Sequence, residues 1–267
     1  MTSPSLATSR NGEGRHILHC LEQVMGTVVT IDIYSEDCEA SDQIYLQVAR
    51  AREILQRADA VFSTWKANSP MSRLRRGEIT SEQSPPEVTE VLAECAKARQ
   101  ISRGWFDPWA MPGGVDPTGY VKGWAAQRAL AALAATEISG AIVNAAGDIA
   151  SFGAMEHSQA FRIGIVDPFS PSRLACVVEL TGAIATSGTS ERGSHLIDPY
   201  SCRPTARVAS ASVSGPDLGL ADALATAVAV AGETGLRLVE ALDDYEALII
   251  GFDGTIRWTE HFPLVSP

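Results

Sequence analysis

The spacing of apolar and polar positions divides the chain into a helix-rich first half and a strand-rich second half. Met25–Tyr34 is dominated by β-branched residues that partly alternate with polar ones, which predicts a strand. Between Ser41 and Phe62, the residues Ile44, Val48, Ala51, Leu55, Ala58 and Phe62 recur at spacings of three and four. This predicts a long amphipathic helix. Ser63–Ser84 reads as a polar loop. Pro85–Arg103 reads as a second helix, with Val88, Val91, Leu92 and Cys95 on one face and Gly104 placed to end it. Trp105–Gly119 is rich in Gly, Pro and aromatic residues, too apolar for a solvated linker, and reads as a structured loop. Tyr120–Thr136 predicts a third helix. Short strands follow at Ala141–Ala145, Phe161–Val166, Ala175–Leu180, Ala183–Thr186 and Arg207–Val213. Leu220–Ala231 and Gly235–Leu242 read as helices. Ala247–Gly251 and Thr255–Trp258 form a closing hairpin across Asp253-Gly254. Segregated helices and strands predict an α+β fold: one two-lobed domain with largely antiparallel sheets flanked by helices. Residues 1–20 are expected to be a flexible tail and 21–267 the domain.

Composition narrows the partners. The chain has 267 residues, 45% hydrophobic and 20% charged, as in ordinary globular proteins. Its formal charge is −11 and it has no long basic run, which argues against a nucleic-acid partner. An anionic ligand would need local help from Lys, Arg, backbone N–H groups or a metal. Cys20, Cys38, Cys95, Cys176 and Cys202 are scattered and form no C-x-x-C pair. They suggest neither a disulfide framework nor a zinc site, and reduced thiols fit a cytosol. Met1–Val24 contains no apolar signal core. Ile17-Leu18-His19-Cys20 imitates a lipoprotein cleavage box without the hydrophobic stretch that should precede it. A cytoplasmic location is expected, and no run approaches the ~20 apolar residues of a membrane span.

Four stretches carry candidate chemistry. In Gly113-Gly114-Val115-Asp116-Pro117-Thr118-Gly119-Tyr120-Val121-Lys122, a Gly-rich turn enters a helix whose first turn holds a lysine. Helix-start N–H groups with Lys122 suit a phosphate or carboxylate. Asp116 could cap the helix, bind a ribose or adenine group, or approach a metal; the plainer reading is a capped helix with an exposed lysine. Asp222 and Thr226 lie four apart, so on a helix they share a face. A carboxylate and a hydroxyl stacked there suit a hard cation. The alternative is a helix-start Asp bonded to its own backbone, with Thr226 returning to a carbonyl. Thr186-Ser187-Gly188 leads through Arg192 to His195 and Asp198. Its hydroxyls and Arg192 could hold phosphate oxygens, and His195 could act as acid, base or orienting group, or the stretch is simply a polar loop. No G-x-S-x-G elbow supports a Ser-His-Asp hydrolase. Asn144–Asp148 is either a ligand-packing strand end or a tight turn.

Taken in order, these stretches resemble the ApbE-type flavin transferases, FAD:protein FMN transferases. The resemblance runs from about Val24 to Phe262. Its pieces are Met25-Gly26-Thr27, Phe62-Ser63-Thr64-Trp65, Ser72-Arg73-Leu74, Gly104-Trp105-Phe106-Asp107-Pro108 and Gly114–Trp124. Asn144–Asp148, Ile165-Val166-Asp167-Pro168, Thr186-Ser187-Gly188, His195–Pro199 and Asp222–Thr226 complete it. The resemblance implies a catalytic domain that holds FAD in a cleft, with Mg²⁺ (or Mn²⁺ in its place) at the pyrophosphate. Met25, Trp65, Trp105, Phe106, Asp107, Asp116, Lys122, Thr186, Ser187 and His195 would contact FAD. Asp222, Thr226 and the Gly119 carbonyl would hold the metal, and His195 with Asp222 would be catalytic. The product would be FMN joined through its phosphate to a Thr or Ser of an acceptor flavoprotein carrying an Asp-x-x-(Ser/Thr)-x-Ala-Thr type of motif, with AMP released. A FAD pyrophosphatase and a non-catalytic flavin binder are the alternatives on the same scaffold. This sequence departs from the family pattern in its short Pro108–Gly113 and Gly188–His195 connections, in Ala146 where Gly is usual, and in the bulky Trp105.

Overall fold

The computed structural model describes residues 6–10, 16–35, 41–134, 138–153, 160–189 and 196–265. Its strands are β1 (Ala7–Arg10), β2 (His16–Val24), β3 (Thr27–Ser35), β4 (Gly140–Ala145), β5 (Asp148–Gly153), β6 (Phe161–Asp167), β7 (Ser170–Leu180), β8 (Ala183–Gly188), β9 (Ile197–Asp198), β10 (Arg203–Pro204), β11 (Ser210–Gly215), β12 (Glu246–Ile250) and β13 (Ile256–Trp258). Its helices are α1 (Asp42–Phe62), α2 (Pro70–Arg75), α3 (Pro86–Ile101), α4 (Thr118–Leu133), α5 (Leu218–Ala231) and α6 (Glu233–Glu240). Nine strands form one sheet in the order β1-β2-β3-β4-β5-β8-β11-β12-β13, and β6-β7 and β9-β10 are separate pairs. Every described pairing is antiparallel, in line with the α+β expectation.

Successive strand residues point to opposite faces, and this divides the apolar residues between two cores. Ile31, Val143, Ala185 and Ile249 face the helices, among which Val48, Leu55, Val91 and Leu224 are buried. Ile142, Ile184, Leu248 and Ile250 face the other way, where Phe161, Ile165, Val178 and Leu180 of the β6–β7 hairpin cover them. Each fully buried Leu, Ile or Phe contributes on the order of 2 kcal/mol.

Helix α5 is buried along nearly its whole length and is built largely from Ala and Val. Those small side chains let α4 come very close. A Cβ on Gly123 would lie 2.3 Å from the Leu218 carbonyl oxygen, so only glycine fits that crossing. Two tight hairpin turns also matter for the site. Met25 (φ 54) with Gly26 (φ 72) joins β2 to β3, and Ala146 (φ 57) with Gly147 (φ 95) joins β4 to β5. Two consecutive positive φ values match the twist of the flanking strands. Asn144 Oδ1 accepts from Gly147 N at 2.8 Å and braces the second turn, so the tight-turn reading of that stretch describes its backbone.

Three segments differ from the sequence expectation. The expected tail contains β1 and the start of β2, where Leu18 and Cys20 are core residues. Alternation does run through Leu18, Cys20 and Val24, but His16, His19, Glu22 and Gln23 mask it as polar sequence. The expected Ser63–Ser84 loop contains α2, started by Ser69, whose side chain accepts from Ser72 N, and by Pro70 in the first turn. Helix α5 begins at Leu218 rather than Leu220, because Asp217 is its cap and accepts from Leu220 N at 2.7 Å. Among the described residues no helix is long and apolar enough to cross a membrane.

Candidate active site

A cleft of about 1330 Å³ opens where the Met25-Gly26 turn, the C-terminal end of α1, the Trp105–Met111 loop, the start of α4, the end of β8 and one face of α5 converge. Met25, Trp65, Trp105, Phe106, Asp107, Asp116, Gly119, Lys122, Thr186, Ser187, Asp222 and Thr226 all line it. These are the expected site residues with one exception: His195 lies outside the described residues. The cleft exceeds the roughly 300–1,000 Å³ of pockets that take drug-sized ligands, as a dinucleotide would require.

The inner end rests on α5. Asp222 is only 5% exposed, and its Oδ2 accepts from Gly123 N of α4 at 3.3 Å. It therefore reaches across to the neighbouring helix from within α5, and Asp217 does the capping at the helix start. Thr226 stands one turn further on, with its hydroxyl 3.4 Å from Ser187 Oγ of β8. Gly119 faces the same spot: a Cβ there would lie 3.4 Å from Thr226 Oγ1 and 3.4 Å from the Phe106 ring. Its backbone (φ −80, ψ 15) breaks the regular run of α4. The side chains and peptide gathered here offer oxygen donors and a single carboxylate. That set suits Mg²⁺, which keeps several waters and takes the rest of its shell from substrate phosphates.

The second feature of this end is an ion pair with a buried carboxylate. Lys122 Nζ of α4 donates to Asp148 Oδ2 at the start of β5, and the Asp148 side chain is fully buried. Asp148 Oδ1 accepts from Thr186 N at 3.2 Å, and Thr186 Oγ1 lies 2.8 Å from Ser212 Oγ of β11. Lysine, strand end and hydroxyls are thus tied into one network. The surrounding side chains are buried, Cys95 and Tyr120 among them. Burial pushes the Cys95 thiol and the Tyr120 hydroxyl far up, with the Asp222 and Asp217 charges respectively adding to it. Burial, with Asp217 nearby, pushes Tyr245 up to about 12.

The outer walls are held by charges on loops. Arg75 at the end of α2 donates through Nη1 to Asp116 Oδ2 at 2.6 Å and through Nη2 to the Pro112 carbonyl at 2.7 Å. Asp116 Oδ1 also accepts from Thr118 N at 3.1 Å, an Asx turn that leads into α4, whose N-cap is Pro117. Arg99 donates to Asp107 Oδ2 at 2.6 Å, and Asp107 Oδ1 accepts from Trp109 N at 2.9 Å. Trp65 is 94% exposed at the rim. Its loop is pinned from beneath by Ser69 and Ser72, whose hydroxyls donate to the Ser63 carbonyl at 2.5 and 3.0 Å.

Comparison with known proteins places this architecture. The model of the ApbE family matches residues 25–114 and 110–249. The chain belongs to the ApbE family. A FAD:protein FMN transferase from Rhodobacter capsulatus is 37% identical over 153 residues, 53% of this chain and 29% of that protein. The match therefore spans less than a third of that relative's length. Among solved structures, the flavin transferase ApbE from Vibrio cholerae superposes with a TM-score of 0.79 at 21% identity, covering 93% of this chain and 98% of that one. The apo flavinyl transferase ApbE from Pseudomonas stutzeri gives 0.75 at 21% identity, covering 92% and 95%. The ApbE protein from Thermotoga maritima gives 0.76 at 22% identity, covering 92% and 97%. At these identities the structural likeness establishes the ApbE fold.

Sequence reasoning missed three supporting residues in this ApbE-family chain. Arg75 and Arg99 orient the two outer aspartates, yet nothing in their local sequence marks them: Asp116 lies 41 residues beyond Arg75, and Asp107 is reached from Arg99 only across the end of α3. Asp148 is visible inside the Asn144–Asp148 stretch, but only the packing of α4 on β5 shows that it serves Lys122.

Proposed function

We propose that this chain is a FAD:protein FMN transferase that uses Mg²⁺. In this reading FAD lies in the cleft with its pyrophosphate at the inner end and its ring systems along the aromatic wall. The observation that carries it is the meeting, at that end, of the buried Asp222 carboxylate and the half-buried Thr226 hydroxyl with the Lys122–Asp148 ion pair, whose carboxylate is buried.

A hydroxyl oxygen of an acceptor Ser or Thr attacks the phosphorus on the FMN side of the pyrophosphate. A new P–O bond forms as the P–O bond to the AMP phosphate breaks, and AMP leaves with the bonding electrons. The hydroxyl proton passes to a base within hydrogen-bond reach, for which His195 is our candidate. Lys122, held in place by Asp148, offsets negative charge on the phosphate oxygens. Thr186 and Ser187 supply hydroxyl donors beside it. Asp222, Thr226 and the Gly119 carbonyl would hold Mg²⁺, which when bound stabilises charge on the bridging and leaving oxygens. Trp65, Trp105, Phe106 and Met25 offer flat, polarisable surfaces to the flavin and adenine rings. Asp107 and Asp116, oriented by Arg99 and Arg75, are our candidates to accept from ribose or adenine groups through their remaining lone pairs. The cytoplasmic setting rests on free thiols at Cys20, Cys95, Cys176 and Cys202.

Chromatography of FAD incubated with the protein and MgCl₂, with and without acceptor, tests this reading. FAD consumption with stoichiometric AMP that accelerates with acceptor and stops on chelation is expected. FMN and AMP released at one rate regardless of acceptor would assign hydrolysis instead. Intact FAD throughout would leave only a binder.

A further inference from the structure

A second cavity of about 590 Å³ adjoins the cleft and has no part in the chemistry above. Asp107 lines both spaces, and Arg99, Arg103 and Tyr200 line the second. Asp107 is occupied by Arg99 at 2.6 Å, so the carboxylate shared by the two spaces is neutralised. Arg103 forms no ion pair among the described residues. Neither does Arg203, which is in register with Asp198 beside the same turn. Arg207 instead lies over the Trp105 ring at 5.2 Å, and Trp105 meets Tyr200 edge-on at 4.8 Å. Asp198 spends its Oδ1 on Tyr200 N at 2.8 Å and Ser201 N at 3.3 Å. The result is unneutralised cationic charge around an aromatic pair, on a chain whose net charge is −11. Other arginines are matched, among them Arg57 with Glu87, Arg128 with Glu90 and Arg257 with Glu233.

The wall is also built firmly. Tyr200 donates its hydroxyl to the Arg103 carbonyl at 2.5 Å, which pins a residue held at φ 52. Arg103 follows α3 and lines the cavity, whereas Arg203 lies outside that lining, on β10 beyond the Pro199-Tyr200 turn. That spread suits several carboxylates along an extended peptide better than one compact phosphate. An acidic protein repels acidic partners at long range, so a local basic pocket beside the cleft would set which acidic segment docks and in what register.

We infer that this cavity receives an acidic segment of the acceptor protein and so presents its hydroxyl to the cleft. The inference rests on the transferase reading. Its test is a fluorescent peptide with a central Thr flanked by Asp and Glu, compared by anisotropy with the same peptide carrying Asn and Gln. No FAD is present. The acidic peptide should bind about ten-fold more tightly at low salt and lose that advantage at high salt. Arg103→Glu with Arg203→Glu should abolish the preference, and the milder Arg103→Gln with Arg203→Gln should reduce it about three-fold or more. FAD binding and acceptor-free FAD turnover, read separately, should stay unchanged in both variants. Equal binding of the two peptides, an unaltered preference in the glutamate variant with an unchanged melting curve, or displacement of the acidic peptide by AMP would overturn the inference. Loss of FAD turnover by the wild type with the peptide preference intact would instead count against the transferase reading.

Discussion

The two ends of the cleft are made differently. At the inner end, Asp222, Thr226, Lys122 and Asp148 sit on helices and strand ends, with the two carboxylates buried and cross-bonded through Gly123 N and Thr186 N. At the outer end, Trp65 stands exposed, Met25 occupies a turn at φ 54, and Asp107 and Asp116 depend on loop or helix-end arginines. Groups on packed elements hold charge at a fixed position, which is what phosphoryl transfer requires. Groups on turns fit a large ligand whose rings tolerate small shifts. The inner end should therefore govern turnover, and the outer end affinity.

The sharpest way to break this contrast is Asp222→Ala. FMN transfer should fall on the order of 10³-fold and stay low across a Mg²⁺ titration. A wild-type rate at any Mg²⁺ concentration would remove α5 from the chemistry. Asp148→Asn should come next. Loss of its buried partner leaves Lys122 misplaced, with a roughly 10- to 100-fold lower rate and about 2 kcal/mol less stability in urea. Adding Lys122→Met should restore much of the stability and none of the rate. Recovery of the rate would reduce Lys122 to a structural role.

Smaller effects belong to the outer end. Trp65→Ala should leave the unfolding free energy from urea titration within about 0.5 kcal/mol of wild type, because an exposed side chain loses little packing. It should raise KM for FAD about three- to ten-fold with kcat nearly constant. A kcat defect would blur the distinction between the ends. The smallest expected effect probes the buried packing around α5. Tyr245 titrates near 12 in the folded chain against an ordinary 10.0, so its contribution to stability is complete below pH 10 and fades as pH rises towards 12. Tyr245→Phe should flatten part of that alkaline loss in urea titrations at each pH; an unchanged slope would argue that the region is wet.

Much of this was legible in the sequence, for reasons that differ by element. Helix α1 and hairpin β12–β13 announce themselves through spacing and through Asp253-Gly254. Asp222 and Thr226 were legible as a pair because helical geometry fixes residues four apart on one face. Gly119 and Ser187 joined them only through the family resemblance, because spacing along the chain does not show that the start of α4 and the end of β8 meet α5 there, and the role of Asp148 became visible only once α4 packs on β5. The strand β2 was hidden by the polar residues between its buried ones, and α2 is too short for periodicity to register.

The most direct test is the mass of an acceptor bearing the Asp-x-x-(Ser/Thr)-x-Ala-Thr type of motif after incubation with this chain, FAD and Mg²⁺. An added FMN phosphoester on its Thr or Ser, absent with chelator and absent with Asp222→Ala, is the predicted result. FAD cleaved to AMP across a panel of such acceptors with none of them gaining mass would contradict transfer.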